Sequence, residues 1–481
     1  MNRRIGLVMA LFIVLSIGAG AQDARTVIAN ASKAMGADNL TSLTFSGTAQ
    51  NGNFGQSRNI AGPLQMTAIT TYTRAIDLNQ PASRAFGPTM PPTIPGGPAP
   101  VAGNFNQNIT PANAAWTQQL QIWVTPWGFL KGAAANNATV RSERGSNVVT
   151  WSPAVKSPSG QAYRVVGYIG PQSMVDRVET WVEHPVVGDM HVDTMYSNYQ
   201  DMGGLKIPTR MVQKQAEIES FTTTITSATA NPTNLATLLT PPPPPGGRGG
   251  APGGGPGGQA PPQVASEKLA DGVYRITGGY VALAVEFSDH IVVLESGQSE
   301  ARGLAVLGEA KKVIPNKPIR YVVNTHAHFD HASGLAPVVA EGITIITQND
   351  NKAFFEKALS APRTLVGDNL AKAARKPKIE GVGEKRVLQD RMRTVELHHV
   401  QNLGHTDGML VAYLPKEKIL LTADFNVPAA GQTPSPFIVT LVQNVDRLKL
   451  DFETHVLVHA PNPDRPQTRA DLMALAKAAG N

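Results

Sequence analysis

From Pro241 to Pro262 the chain reads PPPPPGGRGGAPGGGPGGQAPP, and no packed core can run through such a segment. Five consecutive prolines stiffen its start toward polyproline II, the glycines after them are permissive, and almost no apolar surface is there to bury. A collagen-like reading fails because Gly does not recur at every third position. The segment therefore predicts a tether between a domain at 22–240 and another at 263–481. Residue usage changes across it. All five Trp precede the tether, whereas nine of the eleven His follow it, which favours two independent domains.

Hydrophobic residues make up 42% of the chain and charged residues 16%, a globular balance with little charge. The formal net charge of +6 is spread along the 481 residues, with no block of Lys and Arg. Such a charge bears on solubility and speaks against a nucleic-acid partner. The first residues have the form of a cleaved export signal: Arg3 and Arg4, an apolar stretch Ile5–Ile17, then Ala19-Gly20-Ala21. The apolar stretch falls short of the roughly 20 residues that span a bilayer. The expectation is a signal peptide at 1–21, a mature chain without a transmembrane anchor, and a periplasmic or secreted location. There is no cysteine. Disulfides, a thiolate nucleophile and thiolate metal ligands are thereby excluded, so any metal must sit on His and carboxylate.

The region before the tether opens with a predicted helix, Asp23 to Met35, with Asp23 as N-cap and Gly36 as stop. Period-2 alternation then dominates. In VETWVEH (178–184), Val178, Thr180 and Val182 alternate with Glu179, Trp181 and Glu183. Turns at Gly188-Asp189 and Met202-Gly203-Gly204 make an antiparallel meander. Residues 87–115, rich in Pro, Gly and Asn, read as a long surface loop. His184 and His191, isolated in the meander, read as surface or satisfied core residues. The segments AMGADNL, SLTFSGTAQ and YQDMGGLKIPTRMVQ give residues 24–232 a pattern that resembles the incomplete β-barrels of periplasmic lipoprotein carriers. That resemblance implies a curved sheet around a pocket for an apolar ligand; a plain β-rich (α+β) accessory domain fits the pattern as well.

Beyond the tether, short strands lead to the helix-like ARGLAVLGEAKKVI (301–314) and the apolar strand IRYVVNT (319–325), which runs into His326, His328, Asp330 and His331. Strand parity predicts His326 and His328 on one side, with Asp330 continuing that parity and His331 pointing elsewhere. Packing alone gives no reason to cluster so many groups that each need a partner. Candidate ligands recur at later strand ends: His405 in LGHTDGMLVAYLP, Asp424 closing KILLTAD, and His459 near the end of HVLVHAP. His398 and His399 match no ligand position, His455 reads as exposed, and His290 sits in a turn.

This order of motifs (HxHxDH, then GHT, then a strand-end Asp, then a strand-end His) resembles the metallo-β-lactamase superfamily over about residues 266–481. The resemblance implies an α/β fold, the αββα sandwich. It implies a first metal on His326, His328 and His405, a second on Asp330, His331 and His459, and Asp424 shared between them. Glu295 stands where the family usually has an orienting Asp. The implied cofactors are two Zn²⁺, with iron or manganese also suited to such donors. The implied chemistry is hydrolysis of a small-molecule ester, thioester, lactone or amide by a metal-bridging hydroxide, with Asp330 as catalytic group orienting the nucleophile. Only 459 − 424 − 1 = 34 residues separate Asp424 from His459, and 481 − 459 = 22 follow. Against the resemblance, those intervals leave no room for a nuclease insertion or a glutathione-binding domain. A mononuclear iron sulfur-dioxygenase, a β-lactamase, and an apolar-ligand binding protein with a vestigial metal site remain as alternatives. Pocket walls are expected from 296–302, 360–390 and 425–440.

Overall fold

The computed structural model describes residues 23–111, 115–242, 263–429 and 431–480. The expected signal peptide lies outside them, as does nearly all of the Pro/Gly segment. Among the described residues no helix is long and apolar enough to cross a membrane.

The N-terminal region is one eleven-stranded antiparallel sheet, preceded by the helix Ala24–Ala34 with Asp23 at its N-cap position. Its topology follows from two meanders. Four strands between Ser42 and Ile109 step outward from Ser42–Gly52. The chain then crosses through helices Trp116–Trp123 and Pro126–Ala135 to the far edge. Seven strands return, and the last, Ile218–Ala230, pairs with the first. The turn at Gly203-Gly204 is a two-residue hairpin, with both glycines at positive φ and Leu205 paired to Met202, as a primed turn requires. In Val175–His184, Val178, Thr180 and Val182 are buried as the alternation predicts, but Glu179 is buried as well, held by Tyr168, Arg177 and His191.

The stretch 87–115 is not one loop. Ala82–Met90 and Gly103–Ile109 pair as a hairpin, and Gly103–Ile109 forms the sheet edge. Its composition is deceptive because an edge strand needs only one row of backbone bonds and tolerates Gly, Asn and a nearby Pro. The helix pair fills one face of the sheet, with Trp127 and Phe129 fully buried. A cavity of about 130 Å³ has Arg74, Gln107, Gln121 and Gln213 among its lining residues, a polar rather than apolar set.

The C-terminal region is a four-layer αββα sandwich of a seven-stranded and a six-stranded sheet. The parity of the first sheet's strands sorts its side chains cleanly. Leu283, Val285, Val292, Leu294, Val323 and Ile346 face the second sheet and share its core with Leu410–Leu414 and Ile419–Leu421. The alternate residues Ala284, Val293, Val322 and Ile345 face helices Glu300–Val313 and Leu335–Ala340. Strands buried on both faces are the expected mark of the parallel part of a sheet, here Ile291–Leu294, Ile319–Val323 and Thr344–Gln348. Helices Phe437–Leu448 and Arg469–Ala479 cover the second sheet.

The two regions do not stand apart. The buried apolar cluster is continuous from the N-terminal sheet into the helical layer of the sandwich. Pro362–Leu365 docks on the N-terminal region: Asp189 accepts from the Thr364 amide and hydroxyl and the Leu365 amide at 2.7–2.9 Å. Arg363, buried, donates to the Pro185 and Val186 carbonyls. Part of the expected pocket wall at 360–390 is thus interface, and Lys378–Val382 and Lys385–Gln389 are sheet strands.

Candidate metal centre

Most of the candidate ligands sit where an apolar strand runs out at one edge of the sandwich, and His405 sits in the loop that leads from Thr394–His399 into Leu410–Leu414. The strand Ile319–Val323 ends before His326, the strand Ile419–Thr422 before Asp424, and the strand Thr454–Leu457 before His459. The parity expected for Asp330 does not hold. Residues Phe329–Ala332 form a helical turn, which swings Asp330 and His331 to the same side and away from His328. The outcome is still ligands in two directions. His326, His328, His405 and Asp424 form one group, and Asp330, His331, Asp424 and His459 another, with the donor atoms of each group within 4.8 Å of one another.

Asp424 belongs to both groups, and its two oxygens are divided between them. Oδ2 lies 3.0 Å from His326 Nε2 and 2.7 Å from His405 Nε2. Oδ1 lies 3.1 Å from His331 Nε2 and 2.5 Å from His459 Nε2. Asp424 adopts φ 63°, a left-handed conformation that a non-glycine residue holds only when its surroundings demand it.

The donors suit a cation rather than one another. Nδ1 of His328 is buried without a hydrogen-bond partner among the described residues, and Nε2 of His326, though 3.0 Å from Asp424 Oδ2, is not aligned with it as a hydrogen bond. The His331 and His459 Nε2 atoms face each other at 3.1 Å. Unpaired buried lone pairs are costly, and a divalent metal satisfies several at once. Burial holds His328 down to about 4, and burial with His331 nearby holds His326 well below the ordinary imidazole range, so both rings are neutral donors at neutral pH. His331 is the opposite case. Burial opposes its charge, but Asp424, Asp330 and Glu295 together drive it well above its ordinary value. Burial also works against the charge of Asp330, yet His331 and Gln56 hold it ionised far into acid.

Outer partners fix these groups. Glu295 is fully buried; its Oε1 accepts from the Thr325 amide at 2.7 Å and its Oε2 lies 3.4 Å from His331 Nδ1. The longer side chain thus reaches the ligand run from the strand end. Tyr280 donates to Asp330 Oδ2 at 2.9 Å and packs its ring on His459. His399 bonds the Asp407 carbonyl at 2.8 Å, beneath the loop that carries His405. His398 is buried on Glu396, and His290 on Asp289. His455 is not exposed. It is 2% exposed and bonded to Thr422 Oγ1 at 2.8 Å, because the strand it opens lies between Ile419–Thr422 and Gln467–Thr468. His184 and His191 are satisfied within the N-terminal region, by the Val186 and Val187 amides and by Glu179 and Glu217.

No motif announces the contributions from residues 54–58 and 94–97, which come from loops between strands of the N-terminal sheet. Gln56 Nε2 donates to Asp330 Oδ1 at 2.7 Å, and the Ser57 carbonyl meets His328 Nε2 at 3.1 Å. Pro95 packs its carbonyl against Gly404, next to His405. Isolated Asn, Gly, Gln and Ser residues in NGNFGQSRN carry no spacing that announces a site.

Residues 277–458 match the family model of the metallo-β-lactamase superfamily, so the C-terminal region carries a domain of that family, that of a metallo-hydrolase. Solved structures similar to this chain include metallo-β-lactamases from Pontibacter korlensis (17% identity, 46% of this chain and 100% of that one, TM-score 0.36) and Hirschia baltica (19%, 45% and 97%, TM-score 0.35). One from Erythrobacter litoralis is 17% identical over 45% of this chain and 96% of that one, with a TM-score of 0.33. No curated protein matches the chain.

Proposed function

We propose that this protein is an exported binuclear metal hydrolase, with zinc as the metal, acting on a small ester, thioester, lactone or amide. The observation that carries the reading is the divided carboxylate of Asp424, one oxygen toward each group of converging donors. His326, His328 and His405 would hold one ion, Asp330, His331 and His459 the other. Bound there, the metals would supply Lewis acidity and acidify a water. Asp330 is fixed by Gln56 and Tyr280 at one oxygen each. It would orient the attacking water, take its proton and pass it to the leaving group as the carbonyl bond to that group breaks. His328, neutral across the working range, would remain a donor, and Tyr280 would hold His459 in place by its ring. The export reading rests on the sequence of residues 1–21; a mature N-terminus at Gln22 is the result that supports it.

Metal analysis and a substrate screen of the full purified chain test the proposal. Two equivalents of zinc and turnover of a carbonyl substrate are expected. Asp424→Ala should lose both ions, whereas His459→Ala should keep the first. About one iron with no zinc would sink the binuclear hydrolase.

A further inference from the structure

The metal centre is not built by the metallo-β-lactamase domain alone. Between strands Ser42–Gly52 and Met66–Asp77 of the N-terminal sheet, the chain leaves the sheet and lays Phe54–Arg58 over the ligand-bearing turn. The Gly55 carbonyl accepts from the Phe329 amide at 3.1 Å, and Gly55, at φ +88°, lies so close to the Phe329 ring that a Cβ would stand 2.1 Å from it. Phe54, His184 and Phe329 pack as rings around this contact. The Arg58 carbonyl accepts from the Asp407 amide at 2.9 Å and the Thr406 hydroxyl at 3.2 Å, and its guanidinium meets Asp407 at 2.7 Å. The loop of His405 is thus gripped from the N-terminal side as well.

We propose that Gly55–Arg58 is the outer half of the metal centre: the Ser57 carbonyl fixes the ring tautomer of His328, and Gln56 orients Asp330. The chemistry leaves little choice. A carbonyl oxygen only accepts, so His328 Nε2 must carry the proton that meets Ser57, and the bare lone pair falls on Nδ1, the buried atom without another partner. Gln56, donating to Oδ1 of Asp330 while Tyr280 donates to Oδ2, holds that carboxylate in one plane. Both are positioning groups, and they act on different donor sets, Ser57 on the first and Gln56 on the second. Outer partners of this kind typically change metal affinity by about 10–100-fold.

The inference rests on the metal-site reading, so its test has one arm with metal and one without. In the full-length chain, zinc titrated against a chelator should bind about 10–100-fold more weakly at the second site in Gln56→Ala, with the first unchanged. Gly55→Val, which forces Ser57 off His328, should weaken the first site by a similar factor. Asp189→Ala, which loosens the interface away from the site, should change neither. In metal-free protein, ¹⁵N spectra should show His328 protonated at Nε2, and Gly55→Val should mix the tautomers. Wild-type affinities in both variants, or a His328 protonated at Nδ1 in the wild type, would overturn the inference. If Gly55→Val does not fold, Gln56→Ala and the wild-type tautomer still decide it. Should the wild type bind no zinc, the hydrolase reading falls, while the tautomer arm still judges the positioning role.

Discussion

Glu295 and Asp424 each follow a fully buried strand, and each has a left-handed backbone, φ 73° and 63°. An acidic side chain held in that region at a strand end points back across the sheet edge, which is how one reaches Thr325 and His331 and the other both donor groups. His455 shows the same dependence on surroundings with a different consequence. It is buried in the second sheet, and burial lowers it to about 4 from the ordinary 6.5. The folded form therefore binds fewer protons than the unfolded chain between those values. The stabilisation is complete above about pH 6.5 and declines as pH falls toward about 4, on the order of 3 kcal/mol for such a shift. His455→Gln keeps a hydrogen-bonding atom for Thr422 but removes the titration. Its denaturant-measured stability, in metal-free protein, should fall less steeply than the wild type's between pH 6.5 and 4. Parallel acid limbs in the two proteins would contradict that role.

At the scale of elements, much was legible because the cause was local. Strands such as Ile319–Val323 and Leu410–Leu414 announce themselves by apolar runs, and candidate ligands at their ends stand out because nothing in a core explains them. The helical turn Phe329–Ala332 was not legible, since four residues carry no period and its amide Phe329 is bonded by Gly55, some 270 positions away. The edge strand Gly103–Ile109 was hidden by its Gly and Asn content. The burial of His455 is hidden from the sequence because its cover comes from Gln467–Thr468 and the following helix. Docking segments such as Pro362–Leu365 are illegible for the same reason: their partners lie far off in sequence. Asp189 accepts three hydrogen bonds from that segment, two of them to amides that have no other partner in a strand or helix. Asp189→Ala should therefore cost about 1–3 kcal/mol, read as a lower denaturation midpoint with an unchanged slope. Asp189→Asn, which keeps an acceptor, should recover part of it. A loss within about 0.5 kcal/mol for the alanine variant would place the docking energy elsewhere, in the ring cluster of Phe54, His184 and Phe329.

For the whole molecule, the Pro/Gly segment and the interface pull the expectation in different directions. Composition alone divides the chain at 241–262 and suggests two bodies on a tether. The two regions nevertheless share the contacts at 54–58, 95 and 185–189, and those contacts include partners of three candidate ligands or their loops. A covalent tether raises the effective concentration of two surfaces for each other without adding any contact. It follows that the segment's continuity matters less than the surfaces it joins. Arg248 offers the test, as a tryptic site in the middle of the segment. After cleavage there of protein loaded with zinc, the two fragments should co-elute on size exclusion and retain the metal, because the ring cluster and the Asp189 and Arg58 contacts remain. The intact chain should unfold in a single transition for the same reason, since neither region can open the interface without exposing buried apolar surface. Fragments that separate with metal retained by the C-terminal piece would make the N-terminal sheet an accessory domain. Separation with metal lost would show instead that the centre needs both surfaces but that the tether, not the interface, keeps them together.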